Sequence, residues 1–82
     1  MHASPPLRDA AHVGRHLKLR RIARGLQLQE VASAAGLSAS QLSRIEHGGS
    51  TPRVDTLLRL CVPLGVALEL REVSETDADN AA

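Results

Sequence analysis

The run Ser38-Ala39-Ser40-Gln41-Leu42-Ser43-Arg44-Ile45-Glu46 holds the side chains with the clearest chemistry. Wound as a helix, it turns Leu42 and Ile45 to one face. The remaining residues, small or polar, form an outer face able to reach the edges of bases. Other chemistries find less support. His12 and His16 stand four apart and could share a metal, but no third ligand of suitable spacing follows. Cys61 lies in the apolar run Leu57–Leu64 and reads as a core filler rather than a nucleophile. No Ser/His/Asp or Cys/His set stands out, and a domain this small has little room for a catalytic cleft. The chain is not expected to be an enzyme, to hold a metal or to need a cofactor.

Charge points the same way. The net charge of +1 conceals ten basic and five acidic side chains up to Arg71, a balance of +5, followed by four acids from Glu72 onward. Arg15, Lys18, Arg20, Arg21 and Arg24 crowd into ten residues. A basic body suits a polyanion without identifying one. The sequence has no Phe, Tyr or Trp. That removes the stacking platforms of single-strand binders and many RNA modules. A core must then come from Leu, Val, Ile and Ala, which favours packed helices.

Eighty-two residues make at most one small domain. No membrane span and no signal-peptide core is apparent, and the lone Cys61 can form no internal disulfide. A cytoplasmic protein with no membrane partner is expected.

The elements that would position the 38–46 run are bounded by glycines. Residues 1–8 read as a flexible arm, 9–65 as the folded domain, 66–73 as a separate segment and 74–82 as a disordered acidic tail. A first helix is expected from a cap at Asp9 to about Arg24, with Gly25 just past its end. A second runs from about Leu28 to Ala35, closed by Gly36. Ser38 with Gln41 fits a capping box, so a third helix should start at Ala39 and end near His47. Thr51-Pro52 resembles a helix start and opens a fourth helix, which Pro63 should end or kink. In the segment 66–71, Val66, Leu68 and Leu70 alternate with Ala67, Glu69 and Arg71, the period of a half-buried strand. Val66, Leu70 and Val73 also fall at helical spacing, but Leu68 fits only the alternation. A lone strand leaves its backbone unsatisfied, so its simplest partner is the same segment of a second copy, seamed by Val66, Leu68 and Leu70.

Two short helices crossing steeply make particular demands. Ala32 is small where they approach, and Gly36 can take the positive φ of a tight turn. Val31, Ala35, Leu37, Leu42 and Ile45 are apolar where the helices must pack on each other and on the first helix. All seven demands are met by this helix-turn-helix reading. The stretch from Val13 to Gly65 thereby resembles the Xre/Cro-C1 family. The resemblance is carried by Gly14 and Leu17, Arg21, Gly25-Leu26, Glu30-Val31-Ala32, Ala35-Gly36-Leu37-Ser38, Leu42-Ser43-Arg44-Ile45-Glu46, Gly48, Pro52, Leu57 and Leu64-Gly65.

The fold expected is mainly α: the resemblance implies a four- or five-helix lambda-repressor-like DNA-binding domain, and where the family often adds a fifth helix the alternation after Gly65 gives a short C-terminal β-strand instead. It implies a homodimeric repressor on double-stranded DNA, its third helix in the major groove and its half-sites roughly 34 Å apart. The base-reading positions become Ala39, Ser40, Gln41 and Arg44. Arg44 matches guanine O6 and N7, Gln41 matches adenine, and Ala39 can touch a thymine methyl. Gln41 has a rival use in the capping box, and Arg44 in holding a phosphate. Backbone contacts fall to Arg21, Gln29, Ser38, Ser43, His47 and Arg53. Arg21 is expected to pair with Glu46, since an unpaired carboxylate there would repel phosphates. Two positions depart from the pattern. Gln27-Leu28 stand where a Ser or Thr cap and a Gln are usual, a loss of about 1 kcal/mol. The alternating end resembles the HipB-type branch, which raises an antitoxin role with a protein toxin as an additional partner.

Overall fold

The computed structural model describes residues 7–74. Four helices form, α1 (Ala10–Ala23), α2 (Leu28–Ala34), α3 (Ala39–Glu46) and α4 (Val54–Leu64), and no strand is present among the described residues. Most of the expected arm 1–8 and nearly all of the expected acidic tail 74–82 lie outside the described residues.

Local chemistry sets each start and stop. The Asp9 carboxylate accepts from the His12 amide at 2.8 Å and caps α1. The turn between α2 and α3 depends on Gly36 at φ +73, and the Leu37 amide closes it on the Ala32 carbonyl at 2.8 Å. Before α2 the expected missing cap is made good from the other side. The Glu30 carboxylate accepts from the Gln27 amide at 2.9 Å, so the exposed N-terminus of α2 does have a side-chain partner.

The core is wholly aliphatic. Leu17 of α1, Val31 and Ala32 of α2 with Ala35 just past its end, Leu42 and Ile45 of α3, and Leu60 and Leu64 of α4 are buried together, with Val13, Leu26, Leu28, Leu37 and Leu57 packed around them. Leu28 stands where the resemblance puts a polar residue, and it is partly spent on that core. Helices α1 and α2 each pack against both α3 and α4.

The fourth helix begins later than expected. Thr51 and Pro52 precede the helix without a regular element, and Arg53 is the N-cap, with no side-chain hydrogen bond to the first amides of the helix. The acid expected in a first helical turn is Asp55, which marks the true start. Pro63 does not end α4 but sits one residue before its close at Leu64. Near a C-terminus a proline disturbs little of the following ladder, and Gly65 at φ +65 supplies the stop.

The expected strand over 66–73 is not formed in the single chain, where residues 66–74 carry no regular element. Val66 has other attachments. Its amide bonds the Cys61 carbonyl at 3.1 Å as part of the helix ending, and its side chain packs on the chain's own core. Of the three seam residues, Leu68 is partly exposed and Leu70 fully so.

Gly14, one of the residues that carry the family resemblance, is held to glycine by packing. A methyl on Gly14 would meet the Ile45 carbonyl oxygen at 2.0 Å and the Glu46 carbonyl oxygen at 3.0 Å. The backbones of α1 and α3 touch here, and only glycine allows it. Gly14→Ala should therefore cost about 2–3 kcal/mol through overpacking, and lower Tm by roughly 10–20 °C. Thermal unfolding followed by circular dichroism checks this, and an unchanged Tm would mean the helices do not approach so closely.

Candidate nucleic-acid interface

The candidate surface is built from the inside outward. Leu42 and Ile45, three apart, lock the inner face of α3 into the core. The orientation about its axis is fixed at the C-terminal end by Glu46. That carboxylate is nearly fully buried, its side chain 2% exposed, and takes a bidentate pair from Arg21: Nε to Oε2 at 2.8 Å and Nη2 to Oε1 at 3.0 Å. Nη1 donates to the Leu26 carbonyl at 3.0 Å. The expected pairing of Arg21 with Glu46 is thus observed. The bond to Glu46 holds the guanidinium pKa above its usual value, outweighing the cost of burial. Three of the five N–H donors of Arg21 are spent inside the protein. The side chain is chiefly a strut between α1, the lead-in to α2, and α3.

Outward from this frame, Ser40, Gln41 and Arg44 are exposed, and Ala39 and Ser43 are half-buried. Ser38 caps α3, its Oγ accepting from the Gln41 amide at 3.0 Å, while the Ser38 amide donates to Gln41 Oε1 at 2.8 Å. Both halves of the capping box are therefore closed. His47 ends the helix with Nδ1 at 2.8 Å from the Ser43 carbonyl. A carbonyl only accepts, so Nδ1 carries the proton in this bond. Gln29 lies exposed on α2, where its amide reaches Ser33 Oγ at 3.3 Å.

Residues from α3, the stretch before α4 and the first turn of α4 line one open cleft. Gln41, Arg44 and Ile45 of α3 meet Ser50, Thr51, Pro52, Arg53 and Thr56 there, beside Leu37. The cleft is thus bordered by two arginines, an amide and three hydroxyls, with no carboxylate among its lining residues. Arg53 is highly exposed and touches Asp55 at 3.1 Å, a weak contact at such exposure. Thr51 and Thr56 were not singled out from sequence. Thr51 was read as a helix cap, and placing the helix start by Asp55 instead would have freed it for the cleft.

Elsewhere the alternatives weaken on geometry. Cys61 is buried, and desolvation pushes its thiol above the ordinary value, which makes it a poor nucleophile. Among the described residues no group of three or more His, Cys, Asp and Glu could hold a metal. No helix of the described residues is long and apolar enough to cross a membrane.

Comparison with known proteins settles the family. Residues 12–73, well over half the chain, match the model of the helix-turn-helix domain. The chain belongs to the helix-turn-helix domain family. Within it, the chain is 33% identical over 46 residues to an uncharacterized HTH-type transcriptional regulator of Haemophilus influenzae. That alignment takes in 56% of the chain, and spans about half, 47%, of the relative. The crystal structure of the clp gene regulator ClgR from C. glutamicum superposes with a TM-score of 0.66 at 33% identity, over 78% of this chain and 80% of that one. In helix-turn-helix terms, α2 and α3 are the paired helices, Gly36 the turn, and the Arg21–Glu46 bond the brace that sets the attitude of α3.

Glu46→Ala tests the brace. It removes the partner of a largely buried guanidinium and should cost about 3 kcal/mol, read by urea unfolding. Glu46→Gln, which keeps the shape and one acceptor, should cost less. Equal stability of Glu46→Ala and the parent chain would show the pair to be dispensable.

Proposed function

We propose that the chain is a sequence-specific regulator of transcription that binds double-stranded DNA, a repressor acting as a homodimer on a palindromic operator. The observation that carries this reading is the donor-rich cleft and exposed face of α3, presented on a braced helix pair. Family membership and the likeness to two regulators support it. The body of +5 supplies the attraction to phosphates. On this reading the domain is lambda-repressor-like, of the Xre/Cro-C1 kind with a HipB-type ending, and works in the cytoplasm without catalysis.

The division of labour follows the geometry. Ala39, Ser40, Gln41 and Arg44 read base edges as α3 lies in the major groove. Ser38, Ser43, His47 and Arg53 flank that face and hold phosphates, with Gln29 reaching from α2 and Arg21 contributing its two remaining N–H groups. Base contacts and phosphate contacts are separable by measurement. Arg44→Ala should weaken operator binding ten-fold or more while changing random-DNA binding little. Arg53→Ala should weaken both alike and lower the salt dependence by about one ion. Titrations of labelled duplexes at several salt concentrations decide it. Equal losses for Arg44→Ala on both DNAs would make that residue a phosphate contact.

Dimerisation is supported by apolar surface left outside the core. On α4, Val54, Leu58 and Val62 are exposed at four-residue spacing, hence along one face, and Leu68 and Leu70 follow on the next segment. Segment 66–73 from two copies can pair as strands once the partner supplies the ladder each lacks alone. A Leu68→Asp/Leu70→Asp double variant should keep its helical spectrum, sediment as a monomer and bind operator at least ten-fold more weakly. A variant that stays dimeric would place the dimer seam elsewhere.

A further inference from the structure

We infer that Gln41 faces the groove as a hydrogen-bond donor only, and that with Arg44 it selects bases presenting acceptors, guanine or thymine, rather than adenine. The inference rests on the DNA-binding reading above and deepens it.

The starting point is the closed capping box. The Ser38 amide can only donate, so the Gln41 atom 2.8 Å away must be its carbonyl oxygen. This fixes which end of the amide is which. Adenine is read by a glutamine only when both ends point at the base, the oxygen toward the N6 amino group and the nitrogen toward N7. Here the oxygen is turned back to the start of its own helix, where it closes the box that Ser38 Oγ completes by accepting from the Gln41 backbone N–H at 3.0 Å. Only the NH2 group remains to face outward. Presenting the oxygen instead would open the box and leave the first amide of the turn without its partner.

The neighbours reinforce the choice. Arg44, three residues on and on the same face, is a donor with no acceptor capacity. Arg53 of the same cleft is another, and no carboxylate lines the cleft to welcome an amino group. Cytosine would bring only its amino group against these donors, and adenine its N6 amino group beside a single acceptor, N7. Guanine N7 and O6, and thymine O4, bring acceptors.

The test is selection from a random duplex pool by the full chain and by two variants, Gln41→Ala and Gln41→Glu. Glutamate keeps the bond to the Ser38 amide, as it does in other capping boxes, but replaces the outward donor with an acceptor. The parent chain should enrich guanine or thymine over adenine and cytosine by about ten-fold at one position in each half-site. Gln41→Ala should flatten that position, and Gln41→Glu should turn it toward cytosine or adenine. Adenine at the position that responds to Gln41 would overturn the inference, as would a motif in which no position responds to either variant. A pool in which the parent chain enriches no motif would instead remove the sequence-specific reading beneath it.

Discussion

The close approach of α1 to the end of α3 is the constraint on which the interface depends. At Gly14 the two backbones meet with no room for a methyl. Two turns further along α1, Arg21 reaches the buried Glu46 carboxylate with two hydrogen bonds and the Leu26 carbonyl with a third. A buried ion pair is weak evidence of net stability, because desolvation offsets much of its attraction. Its geometric consequence is firmer. A planar fork fixes direction as well as distance. Since α3 is only eight residues long, a small rotation would move Gln41 and Arg44 by a large part of a base-pair step. The brace therefore acts on function by holding attitude.

The reading face itself is modest. It offers one arginine, one amide whose oxygen is already engaged, and short serines and an alanine. Such a face discriminates weakly over a single half-site, because each good contact is worth only about 1–3 kcal/mol. The proposed function answers this with two copies at fixed spacing, and with the sequence-dependent shape of the DNA between them. The exposed apolar residues of α4 and of the segment after Gly65 are then part of recognition, since they set that spacing.

Much of this was legible in the residues. The bounds of α1 and α3 followed from Asp9, Ser38 and the helix formers between the glycines, because caps are local chemistry. The Gly36 turn and the inward Leu42 and Ile45 followed from spacing, and the Arg21–Glu46 pair from family resemblance. What stayed hidden depended on distance. Gly14 belongs to the family pattern, but the reason for it appears only when Ile45 is placed against it. Gln27 looked like an absent cap because the stabilising carboxylate belongs to Glu30, on the far side of the same turn. The start of α4 was misplaced because Pro52 suits an extended lead-in as well as a first turn. Val66 fitted an alternating strand, yet its own core claims it. A period-2 pattern cannot say whether the buried face lies against the same chain or another.

The central claim is that α3 and the cleft beside it form the DNA contact surface. Backbone amide chemical shifts recorded during titration with a duplex carrying a bound sequence test it most directly. The account predicts the largest changes at residues 38–44 and 50–53, fading as salt is raised. Changes centred instead on the outer face of α4, with α3 unmoved, would contradict it.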